Sequence, residues 1–455
     1  MTPAKFSTGR VQVNKTIAEL REMGKAARNK VTFEELGQFT PTGRDSQQMM
    51  DQVRQLLIPE LLPQRTKLMG ASAFAFFRGT AELMEADLDQ QPNSGIKTFT
   101  CGDAHIGNFG FYASPERRLL FDLNDFDEAG INPWEWDLKR LLVSVLLAAQ
   151  ANDFKEKKIK EFLPKVVASY RKSIKQMFEQ TTLNRFYPTS DVEQIIQASA
   201  LDVDSSKLLM NLINHANKRD SEQVVRKFTT LDVRGGLCFR ENAPRTTHVD
   251  DDFTTHVNDY FTAYRQTLRP DVNLLLSQYH ITDVVRHSVG VGSFGSRCYL
   301  ILLTAIDGSH LVLQVKEALP TRRQGSQRAT RITADFERTE GQRIVDSQKI
   351  LQSASDVFLG YFAGSERSFY VRQFRDMKES VNLTQLDWDQ FQTYANTCAW
   401  TLAMAHSQSP TAAMIRGYIG SGKTFDNQLA AFAWAYAKQV QADYTAFCQY
   451  RLADV

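Results

Sequence analysis

Two stretches of this 455-residue chain hold residue types at spacings suited to phosphate and hydroxyl chemistry. The first runs C-G-D-A-H-I-G-N from Cys101 to Asn108 and continues, after a turn-rich piece, as F-D-L-N-D-F-D-E-A from Phe121 to Ala129. Carboxylates such as Asp103, Asp125 and Asp127 can accept a hydroxyl proton or, with an amide oxygen, hold a hard divalent cation. The second is V-G-V-G-S-F-G from Val289, with Gly290, Gly292 and Gly295 in G-x-G-x-x-G spacing, followed by L-V-L-Q-V-K-E-A, which carries Lys316. Glycines let a backbone close over phosphates, and one ammonium among alternating apolar residues can hold them. The plain alternatives are acidic turns with capping aspartates, a hairpin glycine cluster, and a lysine whose stem lies on apolar surface.

Context decides between two uses of the glycine pattern. A dinucleotide site needs a helix after the glycines. Here the sequel, R-C-Y-L-I-L-L-T-A, alternates as a strand. A glycine loop between antiparallel strands resembles the protein-kinase arrangement, and Lys316 falls where the kinase V-A-I-K lysine would sit. Asp103 and Asn108 have the separation of H-R-D-x-x-x-x-N. The segment is closer still to the H-G-D-x-H-x-x-N of small-molecule kinases of the aminoglycoside phosphotransferase type. Gly102, Asp103, His105 and Asn108 match that pattern; Cys101 departs from it, standing for the first histidine.

This resemblance implies roles. Asp103 would position or deprotonate an acceptor hydroxyl, Asn108 and Asp125 would hold Mg²⁺, and Lys316 with the three glycines would hold the phosphates of ATP. Asp122 and Asp127 are alternatives to Asp125, and Asp127 can also take a second metal or orient a loop. A helix glutamate usually holds the kinase lysine; Glu337 and Glu340 are the candidates, with Glu340 preferred. In P-W-E-W-D-L-K, Asp137 would brace the catalytic loop. Cys101 and His105 as a nucleophile–base pair is the weaker reading, because Cys101 ends a buried strand and no third orienting group is evident.

The elements that must position these residues read as α+β. Residues 1–95 are mainly helical, over Lys15–Arg28, Ser46–Leu62 and Phe74–Leu88. Segment 96–280 holds short strands at Ile96–Cys101 and Leu119–Leu123 and long helices at Trp134–Ala151 and Glu156–Glu179, with 180–260 less legible. Segment 281–380 reads β-β-β-α-β-β, with Asp307-Gly308 as a hairpin turn. Segment 381–455 is helical. A kinase runs glycine loop, lysine, helix, catalytic loop, metal aspartate. This chain has the catalytic loop first, so the expected fold is a circularly permuted, two-lobed protein-kinase-like domain with extra N-terminal helices. Permutation is tolerated where natural termini lie close together. The helix Phe391–His406 ends L-A-M-A-H, and in small-molecule kinases such a helix leads into H-G-D.

The whole chain resembles a bacterial family of unknown function, DUF2252, grouped by remote similarity with the kinase-like fold. The resembling segments are Ser72–Met84, Cys101–Glu128, Pro133–Leu141, Val289–Tyr299, Leu313–Ala318 and Tyr370–Lys378. The resemblance implies a fold clan and no substrate. Within it, Arg78 and Gly79 of F-F-R-G have no counterpart in ordinary kinases; Arg78 can touch a phosphate, brace Asp103, or serve a structural ion pair.

Composition sets the remaining bounds. Apolar residues at 42% and charged residues at 23% exclude a disordered chain or a fibre. The 54 basic and 52 acidic residues leave +2, too balanced to argue for nucleic acid. Five scattered cysteines without a CxxC pair suggest reduced thiols and no zinc site. The apolar run Leu141–Ala149 is too short to span a bilayer, and no signal peptide is evident, so a cytoplasmic protein without a membrane partner is expected. Gly417–Thr424 matches G-x-x-x-x-G-K-[ST] formally, but it lacks a buried strand before it and reads as a helix–helix turn. The functional expectation is phosphoryl transfer from ATP to a small-molecule hydroxyl. Nucleotidyl transfer and a nucleotide-binding scaffold are the rivals.

Overall fold

The computed structural model describes residues 15–187, 221–233, 235–288, 290–292, 294–320, 339–374 and 381–452. Glu337, Val289 and Ser293 lie outside these. The N-terminal segment is helical, with helices including Ile17–Arg28, Ser46–Leu56 and Leu62–Met69. The single helix expected over Phe74–Leu88 is instead two, Ala73–Gly79 and Ala81–Asp89, separated at Thr80 (φ −133°, ψ 51°). The Thr80 hydroxyl donates back to the Phe76 carbonyl (2.9 Å). A helix end leaves carbonyls for other donors, and those of Phe77 and Gly79 receive arginines described below.

The next strands are β1 (Lys97–Thr100), β2 (Phe109–Ala113), β3 (Leu119–Leu123) and β4 (Gly130–Pro133). β1 pairs with β4 and β2 with β3, both antiparallel, so the Cys101–Asn108 segment and the aspartate-rich turn emerge side by side. Further along lie β5 (Thr229–Leu231), β6 (Leu237–Phe239), β7 (Thr246–Thr247), β8 (Tyr279–His287), β9 (Cys298–Ala305), β10 (His310–Glu317), β11 (Gly360–Ala363) and β12 (Ser368–Gln373). Six of them form an antiparallel sheet in the order β11-β12-β10-β9-β8-β7. The Asp307-Gly308 turn joins β9 to β10, with Gly308 at φ +82°.

Period-two alternation gives this sheet two apolar faces. Tyr299, Ile301, Leu303, Leu311, Leu313 and Val315 pack against Val257, Tyr264, Val272 and Leu276. Leu300, Leu302 and Val312 pack against Val224, Val225 and Phe239. Residues 221–276 therefore cover the sheet. The sequence reading grouped these residues with segment 96–280. A sheet apolar on both sides needs both covered, and the chain preceding β8 does it. The largest core gathers the N-terminal helices, Glu135–Ala151, Glu156–Met177, Trp388–Ser407 and Lys423–Phe447.

The G-K-T match is a turn between two helices, Ala412–Ile419 and Lys423–Phe447, with Gly420 at φ +66°. Its first glycine, Gly417, serves packing: a Cβ there would lie 2.0 Å from the Arg21 carbonyl oxygen of the neighbouring helix. Among the described residues, no helix is long and apolar enough to cross a membrane.

Candidate active site

A cleft of about 800 Å³ opens between the sheet and the β1–β4 segment, within the size range of small-ligand sites. Asp103, His105, Asn108 and Asp125 line it from one side, and Gly290, Gly292 and Lys316 from the other. Arg78, Gln314 and Arg372 complete its polar wall. Two stretches far apart in sequence thus face one space. Gly295, Glu340, Asp122, Asp127 and Asp137 are not in that wall.

The loop after β1 is held by its backbone. Gly102 has φ +81°, and a Cβ there would lie 2.0 Å from the Glu128 carbonyl oxygen, so only glycine fits. The Asp137 carboxylate, from the Glu135–Ala151 helix, accepts the backbone N–H groups of Cys101 (2.9 Å) and Gly102 (3.0 Å). His406 Nε2, at the end of the Trp388–Ser407 helix, lies 3.2 Å from the same carboxylate, and Tyr170 Oη lies 2.8 Å from His406 Nδ1. Asp137 thus acts on the loop rather than in the cleft.

Within the loop, Asp103 Oδ1 accepts Arg140 Nε at 2.7 Å. Arg140 also donates to the Phe77 carbonyl (2.7 Å) and lies over the Phe77 ring (3.7 Å). Asn108 Nδ2 donates to the Asp103 carbonyl (2.8 Å), so the amide oxygen is the atom of this side chain that could hold a cation. His105 Nδ1 accepts the Gly107 N–H (3.1 Å), so its proton sits on Nε2, 3.9 Å from Asp103 Oδ2. Burial lowers the His105 pKa to about 3, with Asp103 opposing and Arg78 and Arg140 reinforcing. Cys101 is buried, and burial followed by the Asp137 charge pushes its thiol well up, which disfavours the thiolate that a nucleophile–base pair would need.

The neutral His105 has a measurable consequence. Its stabilising effect is full above the unfolded pKa of about 6.5 and is lost as pH falls toward about 3, because only the unfolded chain takes up the proton. The loss should reach on the order of 3 kcal/mol by about pH 4. His105→Gln, which keeps an acceptor for Gly107, should flatten that part of the stability profile in urea titrations at stepped pH.

The aspartate-rich turn meets the sheet through Lys316. Its Nζ donates to Asp127 Oδ2 (2.8 Å), and Tyr370 Oη donates to Asp127 Oδ1 (2.8 Å). The expected partner, Glu340, is turned elsewhere: its carboxylate binds Arg343 Nε at 2.6 Å, one helical turn on. Arg343 in turn donates to the carbonyls of Asp127 (2.8 Å) and Ala129 (2.6 Å). The helix therefore reaches the turn through an arginine, and the lysine takes the nearer carboxylate. Burial opposes the Lys316 charge, but Asp127, Tyr370 and Asp125 outweigh it and raise its pKa. Asp127 is held low by Lys316 and Tyr370 against burial, while Asp125 is raised by burial and by the Asp127 charge. Asp122 is fully buried and accepts Ser353 N (2.9 Å) and Oγ (3.0 Å), a structural tie.

Residues that sequence reasoning passed over complete the site. On β12, Arg372 stands opposite Gln314 and Tyr370 opposite Lys316, so all four share one sheet face. Arg372 Nε donates to Gln314 Oε1 (3.0 Å). The alternation of Y-V-R-Q places Tyr370 and Arg372 on one face; the register that brings them to Lys316 is a tertiary fact. Arg65 holds the glycine loop. It donates to the carbonyls of Val291 (2.8 Å), Gly292, Phe294 (3.3 Å) and Gly79 (2.9 Å). Gly295 lies behind, its carbonyl accepting Ile58 N (2.8 Å), and a Cβ there would lie 3.3 Å from the Leu57 side chain.

Among the described residues, no three His, Cys, Asp or Glu side chains gather as a metal-binding group. No curated protein and no solved structure matches this chain significantly. A family described as an uncharacterized protein conserved in bacteria (DUF2252) matches residues 54–450, and the chain belongs to that family.

Proposed function

We propose that this chain is a circularly permuted, kinase-like phosphotransferase that moves the γ-phosphoryl group of ATP, with Mg²⁺, to a small-molecule hydroxyl. The observation that carries this reading is the shared cleft: Asp103, Asn108 and Asp125 face Gly290, Gly292 and Lys316 across it. Permutation is supported by a junction. The Phe99 N–H donates to Ser409 Oγ (2.9 Å), and Thr411 Oγ1 donates to the Lys97 carbonyl (2.6 Å). The end of the Trp388–Ser407 helix thus abuts the start of β1. Joining the chain there would give the kinase order of glycine loop, lysine, helix, catalytic loop and metal aspartate.

The donor set fits the metal. Asn108 and Asp125 offer hard oxygens, and Mg²⁺ takes few protein ligands, completing its shell with water and phosphate. When bound, it would neutralise phosphate charge in flight. Lys316 and the glycine-loop backbone would hold the phosphates. Asp103, fixed by Arg140, would orient the acceptor and take its proton. The new bond joins the acceptor oxygen to phosphorus as the bond to the bridging oxygen breaks, and ADP leaves with that electron pair. The rate would come from placement and charge neutralisation. The loop's likeness to small-molecule kinases favours a metabolite or antibiotic-like acceptor over a protein.

The test is product analysis with Mg·ATP and a panel of hydroxyl compounds, including aminoglycosides and sugars. ADP with a phosphorylated acceptor supports the proposal. Pyrophosphate supports nucleotidyl transfer on the same fold instead. Nucleotide binding with neither product would leave a nucleotide-binding scaffold.

A further inference from the structure

Among the described residues that line the cleft, Arg78 is a cation without a protein partner. Lys316 binds Asp127, Arg140 binds Asp103, Arg372 binds Gln314, and Arg245 binds the Ser288 carbonyl. Arg78, among the described residues, has neither a hydrogen-bonded nor an ion-paired partner; its Nε is buried without an acceptor, and its guanidinium lies 5.8 Å from the Phe74 ring centroid. Burying an unsatisfied N–H of a charged group is costly. Burial opposes this guanidinium, while Asp103, Tyr394 and Asp125 favour it.

Its placement is tightly built. The Ala73–Gly79 helix ends between two arginine clamps. The Phe77 carbonyl takes Arg140, which holds Asp103; the Gly79 carbonyl takes Arg65, which holds the glycine loop. Arg78 sits between them. A Cβ on Gly107 of the catalytic loop would lie 3.5 Å from Arg78 Nε, and a Cβ on Gly292 of the glycine loop would lie 3.1 Å from the Arg78 carbonyl oxygen. The missing side chain at Gly292 thus lets the glycine loop approach the Arg78 backbone, while Gly107 brings the catalytic loop to ordinary van der Waals distance of its guanidinium. It lines the cleft beside Asp103 and Asp125 without neutralising either through a direct pair.

We infer that Arg78 is the cation supplied by the N-terminal helical segment to the phosphoryl group in transfer. The inference rests on the phosphotransferase reading and deepens it. As the bond from acceptor oxygen to phosphorus forms and that to the bridging oxygen breaks, charge spreads over the equatorial oxygens, and a planar fork of donors suits them. The acceptor proton passes to Asp103, and the leaving nucleoside diphosphate keeps the electron pair. Arg78 moves no proton; it meets charge that is largest mid-transfer, so it should affect the transition state more than ground-state binding.

The test needs no acceptor. Calorimetry with the full chain compares Mg·ADP alone with Mg·ADP plus aluminium fluoride, a mimic of the planar phosphoryl group. The wild type should bind the fluoride complex on the order of 10²-fold more tightly than Mg·ADP. Arg78→Ala should abolish that gain while the Mg·ADP affinity changes less than about threefold. Should the alanine variant fail to fold by circular dichroism, Arg78→Gln, close in size and neutral, should give the same result. A gain that survives either substitution overturns the assignment. So does equal loss of both affinities, which would make Arg78 a ground-state or structural contact, or a wild type that binds Mg·ADP without any gain. A wild type that binds no Mg·ADP removes the phosphotransferase reading itself.

Discussion

Asp137→Ala should cost the fold about 3–5 kcal/mol and release the loop that carries Asp103. One carboxylate, 1% exposed, satisfies the buried Cys101 N–H and the part-buried Gly102 N–H and faces His406. Alanine leaves those N–H groups without a partner, at about 1–3 kcal/mol each. A domain is stable by only about 5–15 kcal/mol, so the loss is a large share. Asp137→Asn keeps one acceptor oxygen and should recover about half of it. Urea unfolding measures both. An alanine variant within about 1 kcal/mol of wild type would show that the loop is held some other way.

Asp103→Asn should lower ADP formation by roughly 10³-fold while Mg·ATP affinity changes less than about threefold. Arg140 fixes one carboxylate oxygen at 2.7 Å. An asparagine can keep that bond with its amide oxygen, which then points NH₂ at the position where the other carboxylate oxygen would accept the hydroxyl proton. The geometry survives and the base is lost. General-base assistance is worth about 10²–10⁴-fold, which sets the expected size. Turnover within tenfold of wild type would place the proton acceptor elsewhere.

The parts of this account legible in sequence are those governed by local pattern. The strands now seen at 279–317 are apolar-rich runs of strand length, and Asp307-Gly308 marks the turn between the last two. The spacing of Asp103 and Asn108 survives because one short loop holds both. What was illegible depends on distance in sequence. Lys316 finds Asp127 across 189 residues, whereas the Glu340 carboxylate is taken by Arg343 within its own helix. Local competition of that kind cannot be weighed without knowing which carboxylate the fold brings nearer. β2, Phe109–Ala113, is buried along its whole length, so it shows no alternation and hides in a turn-rich stretch. The break at Thr80 interrupts an apolar period that continues through it, and Arg65 and Arg140 meet the new helix end from other elements. The G-K-T match shows the converse: a motif without its strand is a helix–helix turn.

The measurement that bears most directly on the central claim is calorimetric titration of the intact chain with Mg·ATP, alongside Lys316→Ala and Asp125→Ala. These residues come from stretches remote in sequence and line one cleft. The wild type should bind. Each variant should weaken binding by about tenfold or more. Lys423→Ala, in the G-K-T turn, should behave as wild type. Failure of the wild type to bind, or binding indifferent to both Lys316 and Asp125, would contradict a nucleotide cleft built from the two halves.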